Sequence, residues 1–93
     1  MFTNNQFSLS LSMAKITVVE KKLGREKAYG QAHQDDNLIE IDPRISAKNH
    51  LYVMVHELAH LMHPDWSEIK VIKESKTISN FLWKHGFRKV NLK

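Results

Sequence analysis

The chain has 93 residues, a formal net charge of +4, six histidines and no cysteine. This length has room for one compact domain, and folding a chain of this size buries only about 60–65% of the unfolded surface. Without cysteine, the protein can form neither a disulfide framework nor a thiolate zinc site, so any metal site must use His, Asp and Glu.

Hydrophobic residues make up 42% of the chain and charged residues 26%, as is typical of a globular domain. No apolar run approaches the roughly 20 residues that span a bilayer. Residues 1–12 also lack the basic and apolar regions of a secretory signal. We therefore expect an intracellular, cytoplasmic protein with no membrane partner.

The N-terminal residues 1–13 are rich in Asn and Ser, and we expect them to form a disordered or frayed tail. Residues 14–93 then form the single domain. Its first predicted element is a strand at residues 16–19, because this run is β-branched.

The middle of the chain predicts two further strands. Residues 27–33 are the weaker one, because Gly30 interrupts them. Residues 35–37 predict a turn, and residues 38–42 then alternate apolar and polar side chains. We expect a mostly antiparallel sheet of three strands, or of four if residues 87–92 add an edge strand.

The apolar period changes to that of a helix after Pro43. Ser46 can cap a helix over about residues 46–63, and Asp65 a second one over about 66–85, with Gly86 following its C-terminus. The predicted fold class is therefore α+β, a small sheet packed on two helices.

The first predicted helix carries the sequence HELAH, in which His56 and His60 lie one turn apart on the same face. Both imidazoles can therefore reach one zinc ion at about 2.0–2.1 Å. Glu57 lies about 100° around the helix, where it can act as a general base. A helical projection separates these histidines and His63 from an apolar arc, which we expect to face the core: Leu51, Met54, Val55, Leu58, Leu61 and Met62.

A catalytic zinc site normally needs a third protein ligand. His63 shares the face but lies about 10 Å along the helix from His56. Asp65 has a competing role as a helix N-cap. Glu68 falls within the core-facing arc of the second helix, where a carboxylate needs a partner. We predict Glu68 as the third ligand, with Asp65 and His63 as alternatives.

The segment from Leu51 to Glu68, with residues 39–44 before it and 81–87 after it, resembles the zincins. It looks most like small phage and bacterial metallopeptidase-like proteins of the SprT type. The resemblance covers about residues 38–88, and its specific part is HELAH. It implies a minimal zincin core in which His56, His60 and Glu68 hold zinc and an edge strand holds an extended substrate.

The implied function is zinc-dependent hydrolysis of peptide or protein substrates, in which Glu57 takes a proton from a zinc-bound water. Such a phage-like metallopeptidase would act in a host cell. Helper donors for the developing oxyanion are sought among Tyr52, His50 and His33.

Two alternatives stay open from the sequence. Zinc can instead stabilise a small non-catalytic domain that serves as an interaction module. Nucleic-acid binding would use the basic residues of the C-terminal part, although they form no recognised binding motif: Lys84, Arg88, Lys89 and Lys93. The sequence does not define the oligomeric state.

Overall fold

The computed structural model describes residues 15–24 and 29–89. The predicted tail over residues 1–13 lies outside this part, as do residues 27 and 28 of the second predicted strand and the end of the possible edge strand. The elements are β1 (Thr17–Glu20), β2 (Gly30–His33), a 3-10 turn (Gln34–Asp36), β3 (Leu38–Ile41), α1 (Ala47–Met62) and α2 (Glu68–Lys84).

The α+β class is confirmed, but the sheet is mixed instead of mostly antiparallel. Its order is β1-β3-β2, with β3 parallel to β1 and antiparallel to β2. Within the described residues the sheet has three strands, and residues 87–89 add no further one. Alternation along a strand identifies its two faces but not its neighbours, which explains why the sequence did not predict the parallel pair.

The core lies between the central strand and α1. Ile39 and Ile41 point to the helix side of β3 and are at most 1% exposed, where they pack with Val53. Between them Glu40 points to the opposite face, where its carboxylate contacts His33 at 3.0 Å and Lys21 at 3.6 Å. The period of two in β3 therefore separates an apolar face from a polar one.

The first helix begins as predicted, because the Ser46 hydroxyl accepts a hydrogen bond from the backbone N–H of Asn49 at 3.2 Å. The predicted apolar arc is only partly correct. Met54, Leu58 and Leu61 pack against the core, but Met62 is exposed and the buried apolar positions are Val53 and Ala59. Both the sheet and α2 pack against α1, so its buried positions do not follow one apolar arc.

The second helix begins two residues later than predicted. Ser67, not Asp65, is its N-cap, and its hydroxyl accepts from the backbone N–H of Lys70 at 3.1 Å. Both residue types are good caps, so the sequence alone could not choose between them. Gly86 follows the helix at φ 90°, as predicted, in a Schellman-type ending in which Phe87 N–H donates to Leu82 C=O.

The two helices pack against each other through small side chains of α2. Ser75 and Ser79 are both buried, which allows a close approach of α1 to α2. No helix in the described part of the chain has the length and apolar character needed to cross a membrane.

A buried carboxylate joins the end of the sheet to the chain around it. Asp42 is 2% exposed and accepts hydrogen bonds from the Leu23 N–H and from the backbone and guanidinium of Arg44. These bonds from Arg44 hold the pKa of Asp42 well below its ordinary range.

We expect this carboxylate to make the fold acid-sensitive. Because the pKa of Asp42 is lower in the folded than in the unfolded chain, its stabilisation is present at neutral pH and is lost as the pH falls below about 4. In urea titrations, Asp42→Asn should therefore be less stable than wild type at pH 7, and the difference should shrink towards pH 3. The matched control Asp65→Asn alters an exposed carboxylate and should follow wild type throughout. A constant difference at all pH values would contradict this explanation.

Candidate metal centre

The middle of α1 brings His56 and His60 together on one face. Their ring centroids lie 5.0 Å apart, with the rings inclined at 62°. The His56 side chain is 14% exposed and that of His60 is 30% exposed. Burial is the main cause that lowers the pKa of His56, which favours the neutral imidazole that binds metals.

Glu68 reaches both histidines from the first residue of α2. Its Oε2 lies 3.3 Å from His56 Nε2, and its Oε1 lies 3.0 Å from His60 Nε2. We expected Glu68 to point into the core, but its side chain is 59% exposed. The carboxylate therefore contacts both histidines while it stays accessible to solvent.

The three side chains fit a zinc site by donor type and by spacing. One ligand atom from each lies within 4.8 Å of the other two. Two ligands of a tetrahedral zinc ion at 2.0–2.2 Å are separated by about 3.4 Å, and each histidine lies at a comparable distance from one of the two Glu68 carboxylate oxygens. Two imidazoles and one carboxylate also leave a fourth position free, as in catalytic zinc sites.

The two other candidate ligands lie elsewhere. His63 is the C-terminal cap of α1, and its ring stacks on Trp66 with centroids 3.9 Å apart and planes 6° apart. Asp65 is exposed in the turn between the helices. Within the described residues, the structure brings Glu68 to the histidine pair and leaves His63 and Asp65 outside the cluster.

Tyr52 holds the second ring nitrogen of His56. Its hydroxyl lies 3.2 Å from His56 Nδ1, which leaves Nε2 to face Glu68. Burial raises the pKa of Tyr52, so the hydroxyl stays neutral. Tyr52 is one of three residues that the sequence offers as candidate helper donors for the oxyanion. Tyr52 precedes His56 by four residues, a spacing that places two side chains next to each other on a helix. This spacing could have predicted the contact that orients His56.

We expect Tyr52→Phe to weaken zinc binding without preventing it. Partners of this kind fix the orientation and tautomer of a ligating histidine, and their loss typically reduces metal affinity by roughly 10- to 100-fold. The measurement is a competition titration with a chromophoric zinc chelator. Tyr29→Phe is the matched control, because Tyr29 is 57% exposed and lies outside the cluster. Equal affinities for both variants and wild type would remove Tyr52 from this role.

Glu57 lies against β2, close enough to His60 and Glu68 for their charges to act on it. A Cβ added to Gly30 would lie 3.2 Å from Glu57 Cγ and 3.3 Å from Glu57 Oε2, and it would collide with Val53. Gly30 is therefore required here by the close approach of β2 to α1. Burial raises the pKa of Glu57. The charge of His60 opposes this shift, and the carboxylate of Glu68 adds to it.

A groove of about 560 Å³ runs along β2 and ends at this site. The strand and the following turn form one wall, and Glu57 and His60 form the other. The Gln34 side-chain amide donates to the backbone C=O of His60 at 3.0 Å, which ties the turn to α1. Glu57 and His60 of the HELAH sequence therefore line a groove that is large enough to accept a ligand.

The two other proposed helper donors have different surroundings. His33 lines the β2 groove, but its Nε2 contacts Glu40 on the outer face of the sheet. His50 is buried, and its Nε2 lies 3.7 Å from Glu20 in a separate groove. Neither residue belongs to the histidine–glutamate cluster.

The basic residues near the C-terminus are partly engaged in local contacts. The Arg88 guanidinium lies 3.4 Å from the centroid of the Trp83 ring, and Lys89 pairs with Glu20. Lys84 is exposed, whereas Lys93 lies outside the described residues.

No protein-family model matches the chain, and a comparison with curated proteins also finds no match. The zincin resemblance therefore stays a prediction that rests on HELAH and its flanking residues.

Proposed function

We propose that this chain is a zinc-dependent peptidase of the HExxH type. The observation that carries the proposal is the convergence of His56, His60 and Glu68 from two helices, beside a glutamate and an open groove. A purely structural zinc site needs neither Glu57 nor the groove. Their position next to the three candidate ligands favours hydrolysis over a stabilising role alone.

His56, His60 and Glu68 would hold the ion, with His56 oriented by Tyr52. When bound, zinc supplies Lewis acidity, which acidifies water and polarises a peptide carbonyl. Glu57 accepts a proton from the attacking water and returns it to the leaving amine nitrogen. Glu57 lines the groove beside His60, which places its carboxylate where it could take and return that proton.

The substrate proposed for the β2 groove is an extended peptide. β2 is at the edge of the sheet, and Asp42 N–H donates to Tyr29 C=O across the β2–β3 ladder. By the alternation of an antiparallel ladder, the backbone groups of Gly30 and Ala32 point to the free edge. A peptide paired with them would pass beside Glu57 and His60.

The test is hydrolysis of an unstructured protein, such as reduced and alkylated casein, by the full chain loaded with zinc. We expect new peptide termini in mass spectra, their loss after chelation, and their return with zinc but not with Mg²⁺, since this nitrogen-rich site suits zinc and not a hard cation.

A protein that binds one zinc ion per chain but cleaves no peptide in this assay would overturn the catalytic proposal. It would favour the alternative of a zinc-stabilised interaction module, since the candidate ligands join the start of α2 to the middle of α1.

A further inference from the structure

A second groove, of about 480 Å³, lies between β1, α1 and the end of α2. It shares no lining residue with the metal cluster. Val18 and Phe87 at its rim are 44% and 59% exposed, so they extend the apolar lining of the groove into one exposed apolar patch. Its apolar lining is formed mainly by Val18, Leu51, Met54, Leu82, Trp83 and Phe87.

The rim of this groove coincides with a free sheet edge. The N–H groups of Thr17 and Lys21 donate towards β3, so those of the alternating residues Val18 and Glu20 point away from it. In the part of the chain that the structure describes, no strand pairs with this side of β1. The side chains of the same two residues line the groove. One added strand could therefore pair with the edge and cover the apolar lining at once.

The segment before β1 has the sequence pattern of such a strand. Residues 7–13 read Phe-Ser-Leu-Ser-Leu-Ser-Met, a strict alternation that puts four apolar side chains on one face and three serines on the other. Only three residues separate Met13 from the start of β1. A connection this short permits an antiparallel hairpin but not a parallel crossover.

The number of residues in the hairpin loop decides which face of the added strand covers the groove. A two-residue loop at Ala14 and Lys15 would place Leu11 opposite Val18 and Leu9 opposite Glu20. Directly opposite residues project from the same face of a sheet, so both leucines would cover the groove. A four-residue loop keeps the same parity, whereas a three-residue loop would turn the serines to it.

We propose that residues 7–13 pair antiparallel with β1 as a fourth strand and cover the groove between β1, α1 and α2. This inference replaces the frayed tail expected for this segment. It is independent of the proposed peptidase function.

Amide hydrogen exchange of the full chain, followed by NMR, tests the proposal. We expect the Val18 and Glu20 amides to exchange at least about tenfold more slowly than unprotected amides. The double variant Leu9→Asp, Leu11→Asp should lose this protection, and the matched control Ser8→Asp, Ser10→Asp should keep it. The Ile39 and Ile41 amides report in each variant whether the central strand is still folded.

Fast exchange of Val18 and Glu20 in the wild-type chain would overturn the proposal. Protection that increases with protein concentration would assign the groove to a second copy. Protection that survives the leucine substitutions would assign it to another occupant, and equal losses in both double variants would contradict the predicted face. If the leucine variant unfolds at β3, the test is instead made on the wild-type chain, by NOE contacts between residues 7–13 and β1. The absence of these contacts would also overturn the proposal.

Discussion

Replacing Glu57 by Gln is expected to abolish peptide hydrolysis while leaving the fold and the zinc content unchanged. Gln has nearly the same shape, so it can occupy the same space beside Gly30, but it cannot accept the proton of the attacking water. The loss of a positioned general base typically lowers kcat by roughly 10²- to 10⁴-fold. The measurement is casein cleavage at equal zinc occupancy.

The control for this substitution is Asp65→Asn, which also exchanges one carboxylate for an amide. Asp65 is exposed and lies outside the cluster, so its variant should retain wild-type activity and zinc binding. Equal hydrolysis by wild type and Glu57→Gln would remove Glu57 from the role of base. Loss of zinc from Glu57→Gln would instead indicate that Glu57 supports the metal site.

The local elements of the fold were predictable because they depend on short-range chemistry. The alternation around Glu40, the Ser46 cap and the Gly86 ending each follow from a few neighbouring residues. The parallel pairing of β1 with β3 depends on where distant segments meet, and no local pattern encodes it. Likewise, Asp65 and Ser67 compete as caps, and tertiary packing decides between them.

In the candidate site, too, the features that depend on neighbouring residues were predictable, and those that depend on distant segments were not. The shared face of His56 and His60 follows directly from helix geometry. The approach of Glu68 to them depends on the turn between the helices, which the sequence did not define and which shifts the start of α2 by two residues. The close contact of Gly30 with α1 was also not predictable, since it requires knowing that β2 passes over Glu57.

Replacing His60 by Gln is expected to remove the bound zinc, because it leaves only one imidazole and one carboxylate in the cluster. Zinc in wild type should approach one ion per chain by elemental analysis. We expect the variant to bind zinc at least about 100-fold more weakly, since loss of a direct ligand should cost no less than loss of a residue that only orients one.

Thermal unfolding gives a second measurement that does not depend on activity. A ligand at 100 times its Kd stabilises the folded state by about 2.7 kcal/mol. In a domain of this size that corresponds to a rise in Tm of about 10 °C or more. Saturating zinc should therefore raise the Tm of wild type and leave that of His60→Gln nearly unchanged.

His63→Gln is the matched control, because it changes another histidine at the end of the same helix. Its ring stacks on Trp66 outside the cluster, so its loss should leave both the zinc content and the zinc-induced rise in Tm as in wild type. If His63→Gln loses zinc and His60→Gln keeps it, the ligand assignment is wrong. If neither loses it, zinc binds outside the α1–α2 cluster, and the peptidase proposal loses its metal centre.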